Sequence, residues 1–279
     1  MIVFPNCKIN LGLHIIRKRE DNYHDLETVF YPVPLCDALE LRDAEASQTK
    51  HVNLISEGLP VQGDAKENLV SKAYQLLQKD YALPYLQFAL LKNIPMGAGL
   101  GGGSSDGAFA LNLLNAYLDL NLGEEKLLHY AAQLGSDCAF FINNKPCLGS
   151  GRGEILKPID LSLKGYWIVI IKPEIHISTA EAFATIDVNK HQNQWEENSI
   201  KNIIKLDPSN WKDRLCNDFE DSIFPKHPLL ATIKNSLYQA GAIYASMSGS
   251  GSSIFGLFRF EPRLKESYRE YFYFEGLLD

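Results

Sequence analysis

The chain has 279 residues, of which 46% are hydrophobic, and it carries a formal net charge of −7 at pH 7. This length and composition are typical of a globular protein with one large or two modest domains. The acidic balance argues against nucleic acid or an anionic membrane as the main partner. No apolar run is long enough to cross a membrane and no signal-peptide pattern is present, so we expect a cytoplasmic protein. The five scattered cysteines lack a C-x-x-C pair and are expected to be reduced thiols, and the seven histidines form no zinc-binding pattern.

The first element is a strand over residues 7–16, in which apolar residues alternate with others. The second face of this strand carries Lys8, Asn10, Gly12 and His14. Such a face is either half solvated or lines a site, and the alternation alone favours the solvated interpretation.

Further elements follow in the first half of the chain. The sequence predicts a turn at 21–24, strands at 26–31, 37–42, 51–55 and 85–92, and a helix capped by Asn68.

A glycine-rich stretch, Pro95–Ser105, separates the strand at 85–92 from a helix that continues to about Leu118. It contains five glycines, which are costly to order and need a reason. We expect Ser104 and Ser105 to open the helix as capping residues. A helix N-terminus with bare backbone N–H groups is an anion site, and glycines allow phosphate oxygens to approach closely. The alternative is a flexible surface turn.

Three other kinds of nucleotide-binding loop can be compared with this stretch. It is not a Walker A loop, because Gly102 is followed by Gly103 instead of Lys. Gly97, Gly99 and Gly102 do satisfy G-x-G-x-x-G, so a nicotinamide-dependent oxidoreductase stays an alternative. That alternative requires an acidic residue at the end of the next strand, whereas Asp119 closes a predicted helix. A protein-kinase loop is excluded by the lack of H-R-D and D-F-G.

The chain after the glycine stretch begins with a helix from Gly123 to Gly135. Asp137 stands at the break before the short apolar segment 138–142, where an acidic residue usually caps the next turn. The pattern loosens around 150–164, and we place a domain boundary there.

The second half indicates an α+β layer. Its predicted elements are a strand at 166–171, a helix with a Ser178–Glu181 capping box that carries Phe183, an insertion or helical excursion at 188–212, a helix at 228–241, strands at 242–247 and 254–258, and a closing helix at 262–272.

Three segments, in order, resemble the three motifs of the GHMP small-molecule kinases. The second motif is Pro95–Ser105, the first is Pro5–Gly12 with Asn-Leu-Gly at 10–12, and the third is Ser248–Ser253. Within the family, four features point to a member that acts on a cytidine-diphosphate-linked polyol. They are Lys8-Ile-Asn10, the Asn22-Tyr23-His24 turn, Gly135-Ser-Asp137 and Phe140-Phe141.

The resemblance implies an α+β protein of two domains, 1–155 and 156–279. The first would be a ribosomal-protein-S5-like α/β domain with a left-handed βαβ unit, and the second a ferredoxin-like α+β domain, with ATP in the cleft between them. ATP and Mg²⁺ are the implied cofactors, and the implied partner is the small-molecule substrate. We expect a monomer or a homodimer.

The resemblance also implies roles for individual residues. It places Lys8 beside Asp137, which would accept the substrate hydroxyl proton while Lys8 neutralises developing charge. Ser104 or Ser105 could contact a phosphate or Mg²⁺. The implied ATP-binding residues are Lys92, Pro95, Met96, Gly97, Ala98, Gly99, Leu100, Gly101, Gly102, Gly103, Ser104 and Ser105. The implied substrate-binding residues are Asn10, Tyr23, His24, Thr179 and Phe183, with Tyr23 and Phe183 as a stacking pair for cytosine and His24 as a hydrogen-bonding partner.

Other interpretations stay open at this point. Phe183 could be ordinary helix core, and Lys92 could be a solvated strand end. The sequence departs from the family pattern at Cys138-Ala139, where Val-Pro is commoner, and at Asn22, where Gly is commoner. The remaining alternatives are a mevalonate- or homoserine-type kinase, the oxidoreductase, and a non-catalytic nucleotide-binding module.

Overall fold

The structure, a computed structural model, describes residues 1–44, 52–61, 63–184, 186 and 199–279. Two compact units are present, and each consists of several chain segments. The first unit contains Met1–Cys7, Leu35–Met96 and Gly101–Lys145, and the second contains Lys8–Pro34, Gly97–Leu100 and Pro146–Asp279.

Helices and strands alternate irregularly along the chain, as in an α+β protein. In chain order they are β1 (Ile2–Val3), β2 (Asn6–Lys18), β3 (His24–Cys36), β4 (Ala38–Asp43), β5 (Val52–Gly58), α1 (Leu69–Gln78), β6 (Leu86–Lys92), α2 (Gly102–Tyr117), α3 (Glu124–Leu134), α4 (Cys138–Asn143), β7 (Cys147–Ser150), β8 (Ile155–Pro158), β9 (Trp167–Lys172), α5 (Thr179–Ala184), α6 (Ile200–Ile203), α7 (Phe219–Ile223), α8 (Pro228–Gln239), β10 (Tyr244–Met247), β11 (Ile254–Phe258) and β12 (Phe272–Leu277). Short 3₁₀ helices lie at Pro208–Asn210 and Lys265–Tyr268.

The first unit contains a four-stranded sheet in the order β1-β4-β6-β5. β4 runs antiparallel to β1 and β6, whereas β5 and β6 are parallel neighbours joined through α1. Parallel neighbours need a crossover connection, and α1 provides it. This segment is a βαβ unit, as the resemblance implies.

The helices of the first unit pack on one another and on this sheet. Asn68 caps α1, because its side-chain oxygen accepts the N–H of Val70 at 2.9 Å, as predicted. The face of α1 that is buried presents Val70, Ala73, Tyr74 and Leu77. α2 contacts α1, α3 and α4, and it is therefore the central helix of the unit.

The second unit contains two four-stranded sheets, in the orders β2-β3-β7-β8 and β10-β11-β9-β12. All pairs in the latter sheet are antiparallel. Numbered from β9, its strands follow the order 2-3-1-4, which is the ferredoxin-like arrangement. The central strand β9 is buried over Ile168–Ile171, which confirms the prediction of a strand covered on both faces.

The chain end differs from the prediction. The expected closing helix at 262–272 is wrong: a short 3₁₀ helix occupies Lys265–Tyr268, and β12 then pairs with β9. Pro262 and the left-handed backbone of Arg263, with φ of 51°, are unfavourable for a helix here. The aromatic residues of β12 suit a strand that completes the open edge of β9.

The segment after residue 146 also holds more structure than predicted. β7 and β8 pair antiparallel, from Cys147 opposite Pro158 to Ser150 opposite Ile155. The domain boundary near residue 155 stays a prediction. Of the predicted insertion at 188–212, residues 188–198 lie outside the described residues, and residue 51 of a predicted strand does too. Within the described ranges, no helix combines the length and apolar character that a membrane span requires.

Candidate active site

The polar face of β2 is buried, so the solvated interpretation of this strand is wrong. Lys8 is 3% exposed and Asn10 is 2% exposed. The Lys8 ammonium donates to Asn10 Oδ1 at 2.6 Å and to the carbonyl of Gly99 at 2.9 Å. Asn10 Nδ2 in turn donates to Thr28 Oγ1 at 3.0 Å. A buried lysine aimed by fixed acceptors is a preorganised positive charge, which suits a reaction that develops negative charge.

Two other segments of the second unit contact residues 97–100 of the glycine stretch, which belong to the same unit. Ser248 Oγ donates to the carbonyl of Gly99 at 2.8 Å, and the N–H of Ser253 donates to the carbonyl of Ala98 at 3.2 Å. The N–H of Lys8 donates to the carbonyl of Leu100 at 3.0 Å. The segments carrying the three predicted motifs therefore form one hydrogen-bonded arrangement. A flexible surface turn would not make these contacts, so that alternative for the stretch is excluded.

The other part of the stretch belongs to the first unit and forms the start of α2. Gly101 is the N-cap of α2, and its backbone lies in the left-handed region, with φ of 69°. The first helical hydrogen bond runs from the N–H of Ser105 to the carbonyl of Gly101, at 2.8 Å. The expectation that Ser104 and Ser105 cap the helix is wrong, because both lie inside its first turn. The first N–H groups of a helix have no carbonyl partner within it, so this turn can bind an anion.

Buried polar atoms accompany this turn. Ser105 is fully buried, and its Oγ has no hydrogen-bond partner among the described residues. Such an atom is costly unless it is satisfied by a ligand or a water molecule. Its position inside the first turn of α2 supports a polar ligand at this helix end.

Lys92 lies at the end of β6 and is also buried, at 1% exposure, which excludes a solvated strand end. Its ammonium forms an ion pair with Asp37 and donates to Asp106 Oδ2 at 2.8 Å. Burial, opposed by the charge of Lys92, raises the pKa of Asp106 to about 8. Asp106 therefore holds a proton at neutral pH, which leaves the three groups together without net charge.

Asp137 directly precedes α4 and is half buried. Its side chain makes no capping hydrogen bond to the helix, so the simple capping interpretation is not met. α4 packs against α2, and the thiol of Cys138 interacts with the hydroxyl of Ser104. Burial raises the pKa of that thiol to about 12 and keeps it protonated. Within the first unit, Asp137 thus stands at the end of α4 that contacts the first turn of α2.

The predicted base-binding residues gather at the start of β3 and on α5. Tyr23 is 56% exposed, and the Arg152 guanidinium carbon lies 4.8 Å from the centre of its ring. His24 and Phe183 stack with ring centres 4.6 Å apart and planes at 12°. Thr179 is exposed at the first position of α5. The second unit thus presents a stacked His24–Phe183 ring pair and the exposed ring of Tyr23, the residue before His24 in the chain.

The protonation of His24 suits recognition of a base edge. Burial, with a smaller contribution from the charge of Lys18, lowers the pKa of His24 below its usual 6.5. The ring is therefore neutral at pH 7, with one donor and one acceptor nitrogen.

Comparisons with known proteins add to this geometry. The family model described as "GHMP kinases N terminal domain" matches residues 68–145, and the model "GHMP kinases C terminal" matches residues 194–273. The chain belongs to the GHMP kinase family.

Named relatives and a solved structure show which members of the family the chain resembles. A 4-diphosphocytidyl-2-C-methyl-D-erythritol kinase of Bacteroides thetaiotaomicron is 55% identical, over 96% of this chain and 95% of the relative. One from Parabacteroides distasonis is 45% identical over 100% of both chains. A crystal structure of 4-(cytidine 5'-diphospho)-2C-methyl-D-erythritol kinase matches with a TM-score of 0.83 and 29% identity, covering 100% of this chain and 99% of that one.

Several polar residues of this GHMP kinase were given no individual role from the sequence. Thr28 and Ser248 hold the Lys8 arrangement, Asp37 and Asp106 hold Lys92, and Arg152 covers Tyr23. The contact of Ser248 could have been anticipated, because this residue opens the third motif. Asp37 carries no signal, since its partner Lys92 lies 55 positions later in the chain.

The predicted ATP-binding residues are divided between the units of this GHMP kinase. Gly97, Ala98, Gly99 and Leu100 belong to the second unit, and Lys92, Pro95, Met96, Gly101, Gly102, Gly103, Ser104 and Ser105 belong to the first. Their contact with ATP stays a prediction. Among the described residues, no group of three or more His, Cys, Asp or Glu could hold a metal ion.

Proposed function

We propose that this GHMP kinase transfers the γ-phosphate of ATP to the 2-hydroxyl of 4-diphosphocytidyl-2-C-methyl-D-erythritol, a step of the non-mevalonate isoprenoid precursor pathway. The observation that carries the proposal is the near-full-length similarity to relatives of that name, at 45–55% identity. The polar groups of each unit fit the chemistry that such a transfer needs.

ATP would bind through the first turn of α2. Phosphoryl transfer depends mostly on positioning and charge neutralisation, because the protein has little covalent chemistry to do. Backbone N–H groups at the start of a 16-residue helix suit phosphate oxygens, and the buried Ser105 hydroxyl lacks a partner among the described residues. Both features support a phosphate at this helix end.

Lys8 and Asp137 are the proposed catalytic residues. Asp137 accepts the proton of the attacking hydroxyl, and Lys8 stabilises the charge that develops on the oxygen. The two acceptors that orient the Lys8 ammonium support this role, since a fixed donor needs no reorganisation during the reaction. The half-buried position of Asp137 beside the start of α4 supports a carboxylate with limited solvent access.

Substrate recognition would use the aromatic groups of the second unit. Tyr23 and Phe183 offer ring faces on which cytosine could stack. Stacking alone does not distinguish one base from another, because every base has a π face. His24 supplies the hydrogen bonds that select the pyrimidine edge, and Asn10 and Thr179 are further proposed contacts. In this structure His24 covers one face of Phe183, so a base that stacks on that face requires the imidazole to turn away.

Mg²⁺ would enter with the ATP phosphates. This ion prefers oxygen ligands, keeps several waters and commonly binds through one or two protein groups plus phosphates. The hydroxyls of Ser104 and Ser105 fit that donor chemistry. When bound, the ion would neutralise phosphate charge, and the protein's own part is to hold the phosphates at α2.

The alternative activities fit less well. The oxidoreductase requires Asp119 to end a strand, but Asp119 lies in the turn after α2 with φ of 48°. A mevalonate- or homoserine-type kinase has no use for Tyr23, His24 and Phe183 as a cytosine site. The five cysteines form no disulfide, which supports the proposal of a cytoplasmic enzyme.

Thermal shift with a ligand panel tests the proposal. ATP with Mg²⁺ and cytidine diphosphate should each raise the unfolding temperature by binding the native state, and NAD should not. Tyr23→Ala is the matched control, because it should lose the shift with cytidine diphosphate and keep the shift with ATP. Stabilisation by NAD without stabilisation by ATP would contradict the proposal.

A further inference from the structure

The chain that enters the glycine stretch is held by one carboxylate. Asp37, between β3 and β4, accepts the N–H of Asn93 at 2.6 Å and the N–H of Ile94 at 2.8 Å, both through Oδ1. These two residues directly follow β6. Asp37 therefore fixes the backbone immediately before the glycine stretch begins.

The chain that leaves the stretch is tied to the same point through Lys92. The ammonium of Lys92 contacts Asp37 Oδ2 on one side and Asp106 Oδ2 on the other, the latter at 2.8 Å. Asp106 lies on α2, and the three side chains are at most 2% exposed. The result is a buried link between the end of β6 and the first turns of α2, wholly within the first unit.

We propose that Lys92, Asp37 and Asp106 form a clamp that preorganises the first turn of α2 for the phosphates of ATP, so that all three are positioning residues of the kinase. This inference rests on the proposed function, because it assumes that ATP binds at α2. It assigns Lys92 an indirect role, through the helix, in place of direct contact with the nucleotide.

The contacts of Lys92 support an indirect role. Its ammonium contacts the carboxyl groups of both Asp37 and Asp106, and its carbonyl accepts the N–H of Leu59 at 2.8 Å. A Cβ on Gly102, the first residue of α2, would lie 3.0 Å from the Lys92 ammonium and 2.7 Å from Ile94 Cγ2. The Lys92 ammonium thus lies directly against the first turn of α2, which would hold the phosphates. A side chain larger than that of glycine at position 102 would collide with it.

The energetics of buried ion pairs indicate that the clamp does more than stabilise the fold. Replacing a buried ion pair by apolar residues of similar volume is often neutral or stabilising, so such a pair is weak evidence for stability alone. A stretch with five glycines is costly to order, and ordering it before ligand arrives spares that cost during binding. Fixing α2 also fixes the buried hydroxyl of Ser105, the residue next to Asp106.

Asp106→Ala is the direct test, because Lys92 keeps its bond to Asp37 and the chain should still fold. We expect the Kd and KM for ATP to rise about ten- to a hundredfold, since small misplacements of binding groups have effects of that size. The KM for the cytidylated acceptor should stay within about twofold, because its proposed residues lie in the second unit. Asp106→Asn retains an acceptor for Lys92 and should restore most of the ATP affinity.

Asn115→Ala provides the matched control on the same helix. Asn115 also ties α2 to a neighbouring segment, through two hydrogen bonds with Leu122, but it lies about 14 Å from Asp106 along the helix. It should lower the unfolding temperature without changing the Kd for ATP, as measured by calorimetry. If Asp106→Ala changes ATP affinity no more than Asn115→Ala at equal loss of stability, the clamp is only structural and the inference is wrong.

A second variant covers the case in which Asp106→Ala fails to fold. Lys92→Arg keeps the charge, but its broader planar guanidinium cannot fit the space beneath Gly102 without moving α2. It should weaken ATP binding in a folded protein, and normal ATP affinity would overturn the inference. Wild-type protein that binds no ATP would instead contradict the proposed function.

Discussion

Gly99→Ala should damage both the stability and the activity of this enzyme. The backbone of Gly99 has φ of 75°, and a Cβ built there would lie 1.9 Å from the carbonyl oxygen of Ser248. Ordinary contacts begin at about 3.4 Å, so the two segments must separate by roughly 1.5 Å. That separation removes the bonds that Lys8 and Ser248 donate to the Gly99 carbonyl.

The expected loss can be estimated from these contacts. The left-handed backbone costs alanine about 1–2 kcal/mol. A hydrogen bond from a charged group contributes about 1.5–3 kcal/mol, and a neutral one contributes about 0.5–1.5 kcal/mol. We therefore expect the free energy of unfolding to fall by roughly 3–6.5 kcal/mol, and kcat to fall because the Lys8 ammonium loses an acceptor.

Urea denaturation of Gly99→Ala beside Gly165→Ala separates the two contributions. Gly165 has φ of 87° and nothing within 4 Å of a built Cβ, so alanine there should cost only the backbone strain. The difference between the two variants measures the lost contacts. Equal destabilisation of both variants would show that Gly99 does not join the segments of the site.

Three further predictions concern the site residues. Asp137→Asn and Lys8→Ala should each lower kcat by about 10²–10⁴-fold, and the double variant should be little worse than either, since groups of one catalytic unit are non-additive; additive losses in steady-state kinetics would show independent action. Tyr23→Ala and Phe183→Ala should each weaken binding of the cytidylated substrate by about 1–3 kcal/mol in calorimetry, and unchanged affinity would exclude a stacking role. Because burial lowers the pKa of His24, the neutral ring persists to a pH below 6.5. Substrate KM should rise as the pH falls through that lowered pKa, and stability should decline below pH 6.5 because the unfolded chain takes up the proton first. A substrate KM that is unchanged as the pH falls through that lowered pKa would contradict this role.

Local patterns in the sequence predicted much of the fold. The strand β2, the cap of α1 by Asn68 and the strand–glycine–helix order around Pro95–Ser105 are all present as predicted. Such features depend on neighbouring residues, so periodicity and capping rules can detect them. The prediction of a helix at the chain end was wrong, because the conformation of β12 depends on its pairing with β9, which is distant in sequence.

Site residues that belong to a sequence motif could be predicted. Site residues whose role depends on burial were harder to predict. Nothing in the alternation around Lys8 shows that both faces of its strand are covered, and a buried lysine needs that information. Lys92 and Asp37 are a similar case, because their pairing joins positions that no local pattern connects. The location of Ser105 inside the first turn follows from Gly101, whose left-handed backbone starts the helix earlier than the serine preference suggests.

The substrate assignment is tested most directly by one assay of ATP consumption. Purified wild-type enzyme would receive ATP and Mg²⁺ with 4-diphosphocytidyl-2-C-methyl-D-erythritol, mevalonate or homoserine in parallel reactions. We expect turnover with the cytidylated acceptor alone, because mevalonate and homoserine have no planar base that could stack on the aromatic side chains of Tyr23 and Phe183. Comparable kcat/KM with mevalonate or homoserine, or no turnover of the cytidylated acceptor by an enzyme that binds ATP, would contradict it.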